Sequence, residues 1–511
     1  MHLLPLVLLA CAPAPPVGDV EVELHPDDPH AAVATVSLDV DAAVHVVYGV
    51  AGTFEHATPA TELVAGEEVE IDVLGLRADH DYTLSVVAEV GKRTWYSHTE
   101  AVRTPPLPSD WPSCEVESDA PEGTFGLDEV VCSSFQLAEQ WTWSFGCVDR
   151  EGHVVFRFPQ VDGEDIATVT PLMDGGFAVT SFSADQLTLY DEHGQYVADY
   201  QSMWLDGKTR FEHGWLDGHD VIQLSEGPWA GAVVFLTYTW DDWEEWDDGR
   251  WGGGLVVLDP YSGEVLWDWT SHGELGDGVP IDPKLDYSRI SPVGHEPDWQ
   301  HMNAMVHGLD DDQGQFFLLS LRHQDWIVKV DVETDAVDWR FGREGDFTLV
   351  EDLDDPDSPE VSPDLWFYHQ HSPELRSHGD GRASFLVFDN GDFRLDDEGE
   401  FVDAPEYSRV VEFELDEESM RAQIVWSFGH EDPQHPDHIF QSGGGDADML
   451  HDGRRVQYSA GGNRGEAHLG EVGYPDGEVL WRLNCQRSES LFRVVSFPSL
   501  YERSWWYEVE R

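Results

Sequence analysis

Between residues 298 and 409 the chain carries a series of clusters of histidine, arginine and amide side chains, each interrupting an otherwise apolar run. They are Asp298-Trp299-Gln300-His301-Met302-Asn303, Arg322-His323-Gln324-Asp325, His369-Gln370-His371-Ser372, Asp389-Asn390-Gly391-Asp392-Phe393-Arg394 and Tyr407-Ser408-Arg409. A neutral imidazole is a competent nucleophile near pH 7, and its protonated form is a ready proton donor. A guanidinium offers a planar fork of donors that suits the oxygens of an anionic group. Group transfer at an anion is therefore the chemistry these residue types allow. A zinc site built on His369 and His371 is the alternative, but no HExxH or CxxC spacing supports it.

The charge of the chain constrains the partner. A formal net charge of −73 with only four lysines, Lys92, Lys208, Lys284 and Lys329, repels nucleic acid and anionic lipid surfaces. Acidic runs such as Asp241 to Asp248 and Glu351 to Asp355 lack the ligand spacing of a calcium-binding helix–loop–helix and read as solvated loop tips. An anionic substrate entering this field needs a local Arg and His cluster to receive it.

Clusters so far apart in sequence need a fold that gathers them. Six times the chain repeats one phrase: Val154 to Phe158, Leu187 to Tyr200, Leu255 to Trp269, Ile327 to Gly342, Val410 to Gly429 and Leu469 to Leu483. The fuller copies read as hairpins in which alternating residues give one buried face, an Asp/Gly/Glu cluster turns the chain, and the second strand carries an aromatic residue, often Trp. The intervals leave room for two more strands per unit, as in propeller blades. Aromatic residues at 12%, 21 Trp, 47 Gly and 29 Pro suit many turns and a large core better than long helices. In a propeller the polar clusters fall at strand ends near the axis, where they would line one funnel.

The expected class is all-β: a six-bladed β-propeller over residues 106–511, preceded by a small β-sandwich over 19–105 and by a lipoprotein-type signal and linker over 1–18. Met1 to Cys11 is a short apolar stretch ending in Leu-Leu-Ala-Cys, which resembles a bacterial lipoprotein signal with Cys11 as the lipidated residue. It is too short to span a bilayer. Export to the periplasm or cell surface follows, with membrane contact only through the lipid. Leu74 to Val86 resembles the fibronectin type III turn with its corner tyrosine, here Tyr82. The remaining cysteines, Cys114, Cys132, Cys147 and Cys485, allow three pairings or free thiols. The expected bonds are Cys114 with Cys132 and Cys147 with Cys485, the second clasping the ends of the ring.

Residues 140 to 500 resemble the bacterial aryl-sulfate sulfotransferases, on DWQHMN, SLRHQD, QHS, FDNGDFR with YSR following, and VWSFG. The resemblance implies a six-bladed propeller behind a small β domain. It implies movement of a sulfuryl group from a phenolic sulfate to a phenol acceptor through a sulfated histidine, with no nucleotide donor, cofactor or metal. By motif His301 matches the family's first active-site histidine, His371 the second and Arg394 the substrate-clamping arginine. His468, which follows Gly461-Gly462, matches the nucleophile. Asn303, Arg322, His323 and Asn390 are substrate-binding candidates, and Trp299, Trp366, Phe367 and Tyr368 a candidate aromatic wall. The ends of His301, His371, Arg394 and His468 are expected within about 10 Å of one another.

Two other classes share this architecture. A non-catalytic cell-surface propeller would bind a ligand or protein in the same funnel without turnover. A quinone-dependent dehydrogenase would need a tryptophan docking pattern in all blades and calcium ligands, which the sequence lacks. A homodimer is left open.

Overall fold

A computed structural model describes residues 18–121, 123–137, 142–158, 166, 168–181, 186–201, 215–241, 250–271, 300–311, 313–394, 406–461, 466–486 and 491–502. Cys11 and its leader, Asp298, Trp299, most of the 241–248 acidic run and the loop 462–465 lie outside them. The chain divides into two units, Met1–Leu107 and Pro108–Arg511. Among the described residues no helix is long and apolar enough to cross a membrane.

In the first unit, strands Gly18–Leu24, Ala32–Leu38 and Glu68–Val73 form one sheet. Ala42–Val50, Asp81–Val90 and Arg93–Tyr96 form most of a second. Strict alternation drives the packing: every second residue of Ala32–Leu38 is buried, and Val36, Val44, Ile71 and Leu84 share one core. The Tyr82 hydroxyl accepts the Arg77 backbone N–H at 2.8 Å, tying the strand to the turn before it.

The second unit is an all-β, propeller-like assembly in which six sheets are described, antiparallel except that Thr348–Leu349 joins the fifth in parallel. The first comprises Val130–Leu137, Thr142–Asp149 and Val154–Arg157, with the C-terminal strand Leu491–Phe497 as its inner edge. The second runs outward from Thr168–Pro171, the third from Trp215–Gln223, the fourth from Met302–Leu309, the fifth from His371–Gly379 and the sixth from Asp446–Met449. Sheets flanked on both faces need apolar residues on both sides of the strand. Gln315–Leu321 is accordingly buried throughout, whereas the outer strand Val337–Gly342 is not.

Each repeated phrase of the sequence forms the outer part of one sheet, and its aromatic residue docks on the next. Trp269 Nε1 donates to Asp335 O at 3.0 Å, Trp426 Nε1 to Pro475 O at 2.9 Å and Trp481 Nε1 to Arg150 O at 3.0 Å. In all three the acceptor lies in or beside the turn joining the third and fourth strands, counted from the inside, of the neighbouring sheet. A buried indole N–H usually finds such a partner, so these three copies of the repeat encode the joint between sheets as well as the hairpin.

The chain closes on itself twice. Strand Ser113–Ser118 adds to the outer edge of the sixth sheet, beside Val479–Gln486, and Leu491–Phe497 completes the first. This corrects the expected cysteine pairing. The bonds are Cys114–Cys485 and Cys132–Cys147, because the registers place Cys114 opposite Cys485 and Cys132 opposite Cys147. Cys114 and Cys132 stand on strands of different sheets.

Candidate active site

The innermost strands surround a cavity of about 420 Å³, to which Thr168, Asp220, Met305, Glu374, Asp446 and Arg493 each contribute from a different sheet. Four of these strands lose register at one end. The shift falls between Leu216 and Val221, between Met302 and Ala304, between His371 and Glu374, and at Arg493, which the pairing with Ser133 and Ser134 skips. A bulge re-aims side chains that regular pleating would bury in the sheet. Left-handed backbone occurs at several of the candidate segments: φ is +48° at His301, +53° at Asp325, +56° at His369, +48° at Ser372, +61° at Phe393 and +61° at Arg493, and of these Ser372 and Arg493 line the cavity. Such strain concentrates where a site demands one geometry.

The bulges and turns bring five imidazoles into a belt. Ring centroids are 4.7 Å apart for His219 and His301, 4.8 Å for His301 and His323, and 6.1 Å for His323 and His369. Phe492 lies 6.2 Å from His219 and 6.5 Å from His371, and Phe393 lies 5.4 Å from His369. The short 3-10 turn Arg322–Gln324 is held against the His301 segment by Arg322 N to His301 O and His323 N to Gln300 O, both 3.1 Å. It sets the Arg322 guanidinium among the rings. Arg322 Nη1 donates to His323 Nε2 at 2.9 Å and Nη2 to Ser442 O at 2.8 Å, with Asp392 at 3.4 Å.

Two imidazoles have tautomers fixed by their neighbours. Asn390 Nδ2 donates to Gln441 O at 2.7 Å and Gly444 O at 2.9 Å, which leaves its Oδ1 to accept from His371 Nδ1 at 2.7 Å. His371 Nε2 is then the lone-pair end, and it receives the Gly444 N–H at 3.2 Å. Burial, reinforced by the Arg322 charge, holds the His371 pKa well below the ordinary imidazole value, so the ring is neutral. The same two causes act on His369. His219 Nδ1 is bonded to the buried Asp217 carboxylate, leaving Nε2 for the belt. Asp392 is pushed up to about 7 by burial, against the pull of Arg322.

The other candidates serve or stand apart from this belt. Asn303, fully buried, donates through Nδ2 to Gln370 O at 2.8 Å and positions the His371 strand. Arg394 shares the Asp389–Arg394 loop with Asn390, but its Nη2 meets Asp389 at 2.7 Å and its Nη1 meets Trp366 O at 3.0 Å, while the guanidinium lies over Tyr407. Burial opposes its charge, yet Asp389 more than compensates and holds the pKa above its ordinary value. Arg409 bonds the same Asp389 oxygen at 2.8 Å. His468 stands on the third strand of the sixth sheet, opposite Ala460 and Asn484, with its ring 6.1 Å from Tyr458 in the core between sheets. Burial and then Arg482 lower its pKa to about 4. No ring contact joins it to the belt among the described residues. Trp366, Phe367 and Tyr368 belong to a buried core, the commoner role of such residues, rather than to an aromatic wall.

Sequence reasoning missed His219, Asp217, Phe492 and Arg493. Arg493 ties the belt from beneath, with Nη2 3.0 Å from Asp220 and 3.1 Å from Asn303 O, and Nη1 on the Ser372 hydroxyl. The readable signal was a histidine or arginine breaking the apolar alternation of an inner strand, as in Leu216-Asp217-Gly218-His219-Asp220-Val221 and Phe492-Arg493-Val494.

Comparison with known proteins bears on the same region. Arylsulfate sulfotransferases of Lelliottia amnigena and of Escherichia coli O6:H1 are 28% and 27% identical to this chain over 176 residues. Each match covers 30% of this chain and 27% of the relative, so only about a quarter of those proteins is spanned. Virginiamycin B lyase from Staphylococcus aureus aligns over 73% of this chain and 99% of its own at 8% identity, but a TM-score of 0.27 is too low to bear on fold or function. The family model described as arylsulfotransferase (ASST) matches residues 127–490, most of the chain and nearly all of the second unit, and the protein belongs to that family.

Proposed function

We propose that the protein transfers a sulfuryl group from a phenolic sulfate ester to a phenol at the imidazole belt. The observation that carries this reading is a neutral His371, its Nδ1–H held by Asn390, standing in the field of the buried Arg322 guanidinium. In the first half-reaction the Gly444 N–H releases His371 Nε2, which attacks sulfur; the N–S bond forms and the S–O(aryl) bond breaks. The departing phenolate takes a proton from the His219–His301 pair. In the second half the same pair removes the proton of the acceptor phenol, whose oxygen attacks sulfur and releases the imidazole. Arg322 holds the peripheral sulfuryl oxygens, where charge gathers in the loose transition state. Family membership and the similarity to arylsulfate sulfotransferases support the substrate class. Two disulfides support a place outside the reducing cytosol.

His468 is the second reading of the nucleophile. It matches the family motif, and its buried Nε2 has no hydrogen-bond partner among the described residues. Incubation with a chromogenic aryl sulfate and excess phenol separates the two. Phenol-dependent release that is lost in His371→Ala and kept in His468→Ala supports the belt; the opposite pattern assigns the nucleophile to His468. Absence of release by the unaltered protein sinks the transferase reading and leaves a ligand-binding propeller.

A further inference from the structure

Phe393 is an anomaly of the Asp389–Arg394 loop. Its ring is 43% exposed, while Asn390, Asp392 and Arg394 around it are buried and bonded. Its backbone lies at φ +61°, a conformation that a bulky side chain rarely adopts and glycine adopts freely. The turn itself is made by Gly391, two residues earlier, at φ +73° and with its N–H donated to Tyr368 O at 2.9 Å. A glycine at 393 would relieve the strain and remove exposed apolar surface. The ring nevertheless stands at the end of the belt, 5.4 Å from His369 and one residue after the Asp392 that pairs with Arg322.

We propose that Phe393 is the specificity-determining residue that stacks against the aryl group of the phenolic substrate, resting on the transferase reading above for the identity of that substrate. Trp366, Phe367 and Tyr368 are committed to the core, and Tyr238, which also meets His219, is buried, so among the described residues Phe393 and Phe492 remain to compare as rings against the belt. Of the two, Phe393 is the exposed one. An offset or edge-on aromatic pair adds binding free energy beyond simple burial. Because the sulfuryl group is held elsewhere, by Arg322 and the imidazoles, the contact with Phe393 acts on affinity far more than on the chemical step.

Phe393→Gly tests this without threatening the fold, since the backbone there favours glycine. The variant is expected to raise KM for 2-naphthyl sulfate about tenfold, to keep kcat within about twofold, and to leave Tm unchanged or higher. Phe393→Tyr restores KM. Calorimetric titration of the full-length protein with 2-naphthol gives a readout that needs no turnover, with Kd about tenfold weaker in Phe393→Gly. If the unaltered protein turns over aryl sulfates and Phe393→Gly matches it in KM and Kd, Phe393 has no such role while the transferase reading stands. If no aryl sulfate is turned over but naphthol binding still depends on Phe393, the aryl subsite stands and the transferase reading falls. Equal naphthol affinity in both proteins, or none in either, overturns the proposal.

Discussion

Asn390 Oδ1 accepts a hydrogen bond from His371 Nδ1 at 2.7 Å, and two carbonyls, Gln441 O and Gly444 O, hold the other end of the same amide. The amide cannot flip without facing oxygen to oxygen, so one side chain sets both the tautomer of His371 and the spacing between the fifth and sixth sheets. Asn390→Asp keeps the acceptor for Nδ1–H but removes both donors. Replacement of such an orienting partner is expected to reduce kcat about 10- to 100-fold. Loss of two buried bonds should also cost about 1–3 kcal/mol in unfolding free energy. Steady-state kinetics and urea denaturation check the two effects. Unchanged kcat in a folded variant would show that anchoring residue 390 to Gln441 and Gly444 does not matter to His371.

The tryptophan joints between sheets make a second prediction with an internal control. Trp481 and Trp339 are both buried, but Trp481 Nε1 donates to Arg150 O whereas Trp339 Nε1 has no partner among the described residues. Tryptophan to phenylalanine removes similar volume at either site. Trp481→Phe should therefore lose about 1 kcal/mol more stability than Trp339→Phe, the worth of one buried hydrogen bond with its carbonyl left unpaired. Thermal unfolding of the two variants side by side measures the difference, and equal losses would remove the hydrogen bond from the account of the joint.

What could be read from the sequence divides along these lines. The hairpins from Leu255 to Trp269 and from Leu469 to Leu483 announce themselves because alternation, turn residues and a terminal Trp are all local, and they fix the outer part of each sheet. The polar clusters at His301, Arg322-His323 and His371 stand out because they break apolar runs, and the fold does gather them. His219 and Arg493 interrupt apolar runs in the same way but stand alone there, and each becomes a site residue only through a register shift that turns it toward partners in other sheets. Arg394 looked like a substrate clamp by motif. In the structure its guanidinium pairs with Asp389, five residues away in the same loop, a contact that the motif does not announce.

Cysteine pairing was obscured for a topological reason that yields a third prediction. Cys114 reaches Cys485 across a sequence separation of 371 residues only because the strand Ser113–Ser118 joins the last sheet rather than the first. Closing so long a loop constrains the unfolded chain more than the 15-residue separation of Cys132–Cys147. The Cys485→Ser variant, paired with Cys114→Ser to avoid a stray thiol, should lose about 4–5 kcal/mol, against about 3 kcal/mol for the Cys132 and Cys147 double variant. Non-reducing peptide mapping should recover the Cys114–Cys485 crosslink, and recovery of Cys147 linked to Cys485 would contradict the closure described above.

Arg322 and Arg394 are both buried guanidiniums beside the same loop, yet they should fail in different ways. Arg322 lowers the pKa of His371 and His369, second only to burial. In Arg322→Gln that repulsion disappears and both pKa values rise toward the ordinary value. The neutral fraction of His371 then falls at a higher pH than before, so the acid limb of kcat/KM moves upward. The maximal rate should drop about 10²- to 10³-fold, as for loss of one donor to a developing oxyanion. Arg394 faces Asp389, which is fully buried and also bonded to Arg409. Arg394→Gln removes half of that compensation, and breaking a buried ion pair costs about 3–5 kcal/mol. Its lost activity should therefore track the loss of folded protein, with the acid limb unmoved in the fraction that remains. A shifted limb and full stability in Arg394→Gln would return the clamping role to Arg394.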